Sequence, residues 1–268
     1  MISPTSVLTT GASSGIGAAL ALAYAEPGRR LALTGRHEMR LATVAERCRE
    51  AGATVATRTV DVTDRDTMEA WIEDMAATAR LDLVIANAGI SGGSGHATEE
   101  GSDQVRRIFA VNVGGVLNTV LPAIPVLYRQ APVVVAGSPP WRGQIAIVSS
   151  LAGMRGFPGA PAYSASKAAV KAWGEGLRPA LARDQIAVSV ICPGFIRTPM
   201  TADNPFPMPF LMEADRAAAL IKKRLARNPA RITFPFSLYA LSWLASALPP
   251  GWIDPLLSRM PEKPPRNG

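Results

Sequence analysis

Six apolar runs of strand length recur along the first two hundred residues, separated by longer segments of helical period, and this alternation leaves few folds open to the chain. Strands are expected at 6–10, 30–34, 54–60, 81–86, 144–149 and 187–191, and helices at 15–25, 39–51, 65–79, 101–127 and 162–182. Most of the strand segments are apolar throughout rather than alternating, as strands covered on both faces are. Strand–helix–strand repetition implies a parallel sheet with right-handed crossovers. The expected class is therefore α/β: a doubly wound parallel sheet in three layers, α/β/α. No linker divides the first two hundred residues, so residues 1–268 are read as one domain. Within it, about 1–200 form the core and about 201–268 a substrate loop and an apolar helical extension.

Composition removes several alternatives. Two cysteines, Cys48 and Cys192, are too few for a disulfide framework, and with only His37 and His96 no metal site is expected. The net charge of +7 comes from scattered basic residues, with no long block of them. That suits a soluble surface that attracts a polyanionic cofactor, and nucleic acid is not expected as a partner. The N-terminus lacks the charged start of a signal peptide, and the chain is expected in the cytoplasm.

The first strand runs straight into Thr10-Gly11-Ala12-Ser13-Ser14-Gly15-Ile16-Gly17, and a helix follows. Gly11 allows the tight turn, while Gly15 and Gly17 allow close approach to a pyrophosphate and close packing of helix on strand. The helix start then offers free N–H groups and a positive dipole end to phosphate. Ser13, Ser14 and Ile16 belong to the same turn. The turn reads as a dinucleotide site. The second strand ends at Leu33-Thr34-Gly35-Arg36, where a carboxylate would bind a ribose 2′-hydroxyl. Here there is none, and Arg36 can pair with a 2′-phosphate. NADP(H) is thus favoured, with NAD(H) the alternative if Arg36 is only a solvated strand-end residue. Asp61 and Val62 follow the third strand. Asp61 either bonds the adenine or caps the next helix.

Tyr163-Ser164-Ala165-Ser166-Lys167 places a tyrosine and a lysine four apart, on one helical face and roughly 6 Å apart at Cβ. Free tyrosine, with a pKa of about 10, is a poor base near neutrality. A positive charge about 5 Å away, at an effective dielectric near 20, favours the phenolate by roughly 3 kcal/mol, or about two pKa units. Lys167, helped by the oxidised nicotinamide's own charge, is therefore expected to tune Tyr163 for proton transfer to or from a substrate oxygen. The fifth strand ends in Ser149 and Ser150, at the end that faces the ligand crevice. Ser150 precedes Tyr163 by thirteen residues and is placed to bond the same oxygen; both serines as plain turn residues is the competing reading. Asn87-Ala88-Gly89 follows the fourth strand and suits a close turn beside the cofactor. Asn112 sits inside a helical segment, where asparagine is locally unfavourable and invites a reason, surface exposure being the simplest.

Taken in order, TGASSGIG, NAG, Asn112, Ser150, YSASK and Pro193-Gly194-Phe195-Ile196-Arg197-Thr198 resemble the classical short-chain dehydrogenase/reductase family over roughly residues 5–200. The resemblance implies a Rossmann-like domain with a seven-stranded parallel sheet. It implies a catalytic set of Asn112, Ser150, Tyr163 and Lys167, in which the asparagine holds a water in a proton relay to the lysine. It also implies that Lys167 binds the nicotinamide ribose, and that Pro193, Gly194, Ile196 and Thr198 hold the nicotinamide end. The expected activity is hydride exchange between NADP(H) and a carbonyl or alcohol small molecule, with Tyr163 as general acid/base. A non-catalytic dinucleotide sensor, or a membrane-docked module, is the alternative on the same fold.

Three features depart from the family pattern. The usual Asn-Asn-Ala-Gly reads Ala86-Asn87-Ala88-Gly89. Residues 131–143 form a long connection, read as a surface excursion. The C-terminal part is the largest departure: 204–210 reads as a loop, 213–227 as a basic amphipathic helix, 231–235 as a last strand, and 236–248 and 252–260 as apolar segments. The 22 residues 232–253 carry no charge. They are expected to form a homodimer or homotetramer interface, with peripheral membrane contact beside the basic helix as the minority reading and a bilayer span the least favoured. Substrate shape is assigned to the loops 91–98, 153–161 and 198–213, and an apolar substrate is compatible with them.

Overall fold

The computed structural model describes residues 3–93, 100–134, 137, 139–202 and 204–258. Within them β1 (Ser6–Thr9), β2 (Arg30–Gly35), β3 (Thr54–Thr59), β4 (Leu83–Ala86), β5 (Gly143–Val148) and β6 (Ile186–Pro193) follow the expected order. After the two-residue strands β7 (Ile196–Arg197) and β8 (Met212–Glu213), β9 (Arg231–Phe234) completes the main sheet. Its order is β3-β2-β1-β4-β5-β6-β9, and every neighbouring pair is parallel. Strands β4, β5 and β6 are buried from end to end, which explains their unbroken apolar sequences.

Helices cover both faces. On one lie α1 (Gly15–Tyr24), α2 (Glu38–Glu50) and α7 (Ala214–Leu225), with Leu20, Leu41 and Ile221 packed under β1, β2 and β6. On the other lie α3 (Arg65–Thr78), α5 (Gly115–Arg129) and α6 (Pro161–Ala182), through Met68, Val120 and Val170. The Rossmann-like three-layer arrangement is thus present. The sheet order reverses between β1 and β4, so the crevice at that switch point opens at the C-terminal strand ends, where such sheets bind ligands.

The expected single helix over 101–127 is instead α4 (Ser102–Phe109), a π-helical turn (Ala110–Gly114) and α5. The extra residue in the π turn rotates Asn112 into the protein, where none of it is exposed. Surface exposure, the simplest reading of that residue, is therefore wrong. The segment 131–143 folds back on itself, with Val133 and Trp141 exchanging backbone hydrogen bonds at 2.7 and 3.1 Å. Residues 135, 136 and 138 of it lie outside the described residues.

The C-terminal segment is divided. Its 22 uncharged residues are shared between β9, α8 (Phe236–Ala247) and α9 (Pro250–Leu257), and these two helices are shorter than the ~20 residues a bilayer span needs. The stretch 102–129 is long and apolar enough to cross a membrane by length and composition, but half of its apolar window is buried in the protein. The basic helix α7 turns Ala217, Ala218, Ile221 and Leu225 into the core, so it has no free apolar face to lay on a lipid surface. By contrast Phe236, Leu241, Trp243, Leu244, Trp252 and Leu256 on α8 and α9 are exposed.

Candidate active site

The turn after β1 is held by its glycines. Gly11 adopts φ +67°, and a Cβ there would come within 2.8 Å of the Ala88 backbone. A Cβ on Gly17 would lie 2.2 Å from the Gly11 carbonyl oxygen, so no other residue lets α1 start this close to the turn. Ser14, at the N-cap of α1, makes no side-chain cap, which leaves the first-turn N–H groups facing the crevice. Gly35 at the end of β2 admits the Ser13 side chain, whose Oγ would be 2.9 Å from a Cβ.

Asn87 ties this turn to β4. Its Nδ2 donates to the Thr10 carbonyl at 2.9 Å, while its own N–H and that of Ala88 donate to Thr10 Oγ at 3.1 and 3.2 Å. Ala86, the departure from the family pattern, is a fully packed β4 residue, so the missing asparagine leaves no gap. Thr10 itself was not singled out in the sequence; a hydroxyl at the last position before a glycine turn was its only signal.

At the rim, Arg36 stands 3.8 Å from Asp61. Asp61 Oδ1 also accepts from the Thr63 N–H and hydroxyl, at 3.0 and 2.8 Å. It does not cap the following helix: Asp64 does, accepting from the Thr67 N–H at 3.1 Å. The capping alternative for Asp61 is corrected, because α3 begins three residues later than that alternative requires. Val62 is buried next to it, its carbonyl taken by Asn118 Nδ2 at 2.9 Å.

Ser150 ends the strand path of β5, and its hydroxyl oxygen accepts from the Ala152 N–H at 3.1 Å. Ser149 behind it donates to the Lys167 carbonyl at 2.7 Å, fixing α6 against β5. Tyr163 occupies the first turn of α6, and Lys167 the next turn, with Nζ 5.9 Å from the Tyr163 ring centre and 3.0 Å from the Val148 carbonyl. Burial pushes the Lys167 ammonium down to about 8. Burial also pushes the Tyr163 phenol up, and a hydrogen bond with Ser150 works the other way. Without a dinucleotide, loss of solvent is the larger of these two influences on the phenol.

Asn112 lies behind this set. Its Oδ1 accepts from the Ile90 N–H at 2.8 Å, and its Nδ2 donates to the Ile90 carbonyl at 2.9 Å and to Ser166 Oγ at 3.0 Å. Ser166 in turn donates to the Tyr163 carbonyl at 2.8 Å. Both amide protons of Asn112 are thus spent on tying the π turn and the loop after β4 to α6. A Cβ on Gly89 would press on Asn112 Oδ1 and on Lys167 Nζ, at 3.1 and 3.2 Å.

A cavity of about 630 Å³ joins these pieces. Gly11, Ser13, Ser14, Gly15, Ile16, Arg36, Asp61, Val62, Asn87, Ala88, Gly89, Ser150, Tyr163, Lys167, Pro193, Gly194, Ile196 and Thr198 all line it. Gly17 and Asn112 do not, one packed beneath the turn and the other behind Lys167. Beyond β6, Thr201 Oγ donates to the Ile196 carbonyl at 2.6 Å and accepts from the Thr198 N–H at 3.0 Å, which shapes the end nearest Pro193 and Gly194. The sequence reading missed His37 and Arg40 near Arg36, and Gln104 and Arg107 from α4. The basic spacing Arg36-His37-Arg40 was a readable signal; nothing in α4 was. Of the three loops assigned to substrate, residues 94–98 and 203 lie outside the described residues, as does His96.

Comparisons with known proteins come to the same place. The family profile described as short chain dehydrogenase matches residues 5–206. The chain is 39% identical over 254 residues to an uncharacterized oxidoreductase of Myxococcus xanthus, covering 94% of this chain and 96% of that one. A short-chain dehydrogenase from Sphingobium yanoikuyae, solved in complex with NADPH, superposes with a TM-score of 0.76 at 26% identity, covering 98% and 99% of the two chains. A 3-oxoacyl-[acyl-carrier protein] reductase from Brucella melitensis, solved in complex with NAD, does so with 0.74 at 25% identity, covering 90% and 99%.

Proposed function

The chain belongs to the short-chain dehydrogenase family, and from that premise we propose that it interconverts a carbonyl and an alcohol by hydride exchange with NADP(H). One observation carries the reading: the glycine turn, Arg36 and the Ser150–Tyr163–Lys167 set line a single cavity at the sheet's switch point. The residues fit a dinucleotide, since Gly11, Ser13, Ser14 and Gly15 line the cavity and a Cβ at Gly11 or Gly17 would clash with the backbone that shapes the turn. The uncapped start of α1 takes the pyrophosphate. Arg36, with Arg40 one turn into the next helix, takes the 2′-phosphate, which favours NADP(H) over NAD(H). Asp61 and Val62 border the adenine side, and Pro193, Gly194, Ile196 and Thr198 the nicotinamide side.

When bound, the reduced nicotinamide supplies hydride to the carbonyl carbon. Tyr163 delivers its phenolic proton to the carbonyl oxygen, so the product is the alcohol. A phenol kept protonated by burial suits that donation near neutrality. The Ser150 hydroxyl bonds the same oxygen and aligns it with the phenol. Lys167 bonds the nicotinamide ribose and favours the phenolate that proton donation leaves. Asn112 locks α6 in register through Ser166. Residues 1–268 act as one unit, because β9 from the C-terminal part completes the sheet. The exposed apolar face of α8 and α9 is covered by another copy of the chain. The test is direct: the protein mixed with NADPH and a panel of ketones and aldehydes oxidises NADPH only when a carbonyl is present. Silence across a broad panel with both NADPH and NADH overturns the reading.

A further inference from the structure

The helix that carries Tyr163 lacks a cap of its own. Its N-cap is Ala160, which has no side-chain oxygen, and its first residue is Pro161, which has no N–H. The first orphan donor is therefore the N–H of Ala162, the residue immediately before the tyrosine. Glu100, 62 positions earlier and two residues before α4 begins, accepts that N–H through Oε2 at 2.8 Å. Its other oxygen, Oε1, is buried and meets no hydrogen-bond partner among the described residues. A carboxylate in this position also complements the positive end of the helix dipole.

We propose that Glu100 is a positioning residue for the proposed reaction: it caps α6 from outside the helix and so fixes the turn that aims Tyr163 at Ser150 and the substrate oxygen. The inference rests on the oxidoreductase reading for its kinetic consequence, but the cap itself is independent of it. Burial raises the Glu100 carboxyl and the bond from Ala162 lowers it. The same contact ties the start of α4, which lends Gln104 and Arg107 to the cavity wall, to the start of α6. Glu100 meets α6 at the Ala162 N–H, so it acts through the backbone.

The experiment pairs Glu100→Ala with Glu100→Gln in the full chain. The amide keeps a carbonyl oxygen able to accept the Ala162 N–H; alanine does not. Misplacing a reacting group by about 1 Å costs up to about 100-fold, so Glu100→Ala should lower kcat about 10- to 100-fold with KM for NADPH changed less than about threefold. Glu100→Gln should restore kcat to within about threefold of the parent. Amide exchange at Ala162, read separately, should speed up about tenfold or more in Glu100→Ala and stay near the parent rate in Glu100→Gln, as expected when a cap is lost or kept. Unchanged exchange in the alanine variant, or an amide variant as impaired as the alanine one, overturns the proposal. If Glu100→Ala does not fold, Glu100→Gln decides: parental kcat and exchange support the cap, and a loss beyond tenfold refutes it. If no substrate is turned over by any form, the oxidoreductase reading fails while the exchange result still judges the cap.

Discussion

The Lys167 ammonium sits 5.9 Å from the centre of the Tyr163 ring, one helical turn away, and donates to the Val148 carbonyl at 3.0 Å. Only 3% of Lys167 is exposed. Its pKa is held down near 8 by burial, against an ordinary 10.5, so the folded chain binds this proton less tightly than the unfolded chain. The sign follows from that difference. Between about pH 8 and 10.5 the unfolded state binds more protons, and stability from this group rises with pH, by about 3 kcal/mol over the whole window. Below pH 8 the burial cost is fully present. Relative to Lys167→Met, which carries no charge, the parent protein should therefore gain stability between pH 7 and 10. Urea unfolding of both proteins across that range checks it.

Gly17 makes the closest approach in the phosphate turn. Gly17→Ala would drive a methyl to 2.2 Å from the Gly11 carbonyl oxygen and 2.5 Å from Asn87 Nδ2, and the Gly11 backbone does not yield cheaply. The variant should lose about 3 kcal/mol or more of stability and bind dinucleotide at least about tenfold more weakly. Denaturant midpoints and fluorescence titration with NADPH measure the two effects.

Arg36 is 38% exposed at its side chain and half-engaged by Asp61, so it is free to swing to a phosphate. A charge-assisted bond of about 1.5–3 kcal/mol corresponds to about 10- to 100-fold in affinity. Arg36→Ala should weaken NADPH by that factor and leave NADH within about threefold. Comparable losses for both cofactors would remove the 2′-phosphate assignment. The contrast is best measured at one fixed salt concentration, because phosphate pairing is screened.

Much of this was legible in the sequence because parallel, doubly covered strands leave unbroken apolar runs and because a glycine turn cannot be built otherwise. Tyr163, Lys167 and Ser150 could be singled out because a helix face and a strand end fix their geometry and the glycine turn and the ordered motifs supply the company that the spacing alone lacks. What could not be read depends on packing. The π turn at Ala110–Gly114 has no local sequence mark, so the burial of Asn112 was invisible. The burial of the Tyr163 phenol was not legible either, because a pairwise charge estimate omits the solvent that burial removes. The basic helix α7 read only as amphipathic, a neighbour to the minority membrane contact of the tail; its apolar stripe is one wall of the core, and a stripe alone does not say what it faces.

On the apolar C-terminal face, Trp243 and Leu244 are each more than half exposed, and α8 carries no charge over its length. If a second copy covers that face, replacing both with glutamate should reduce the mass seen by light scattering towards that of a single chain. Burying two new charges at such a contact is strongly unfavourable. The cavity lies elsewhere, so NADPH affinity should stay within about threefold. An unchanged mass would place the oligomer contact on another surface.

The central claim is that the Tyr163 phenol moves the proton. Turnover of Tyr163→Phe with NADPH and the best carbonyl substrate of the parent protein tests it most directly, with NADPH affinity measured alongside. A positioned proton donor contributes about 100- to 10,000-fold, so turnover should fall by that factor while NADPH binding stays within about threefold. Turnover within about threefold of the parent would contradict the assignment.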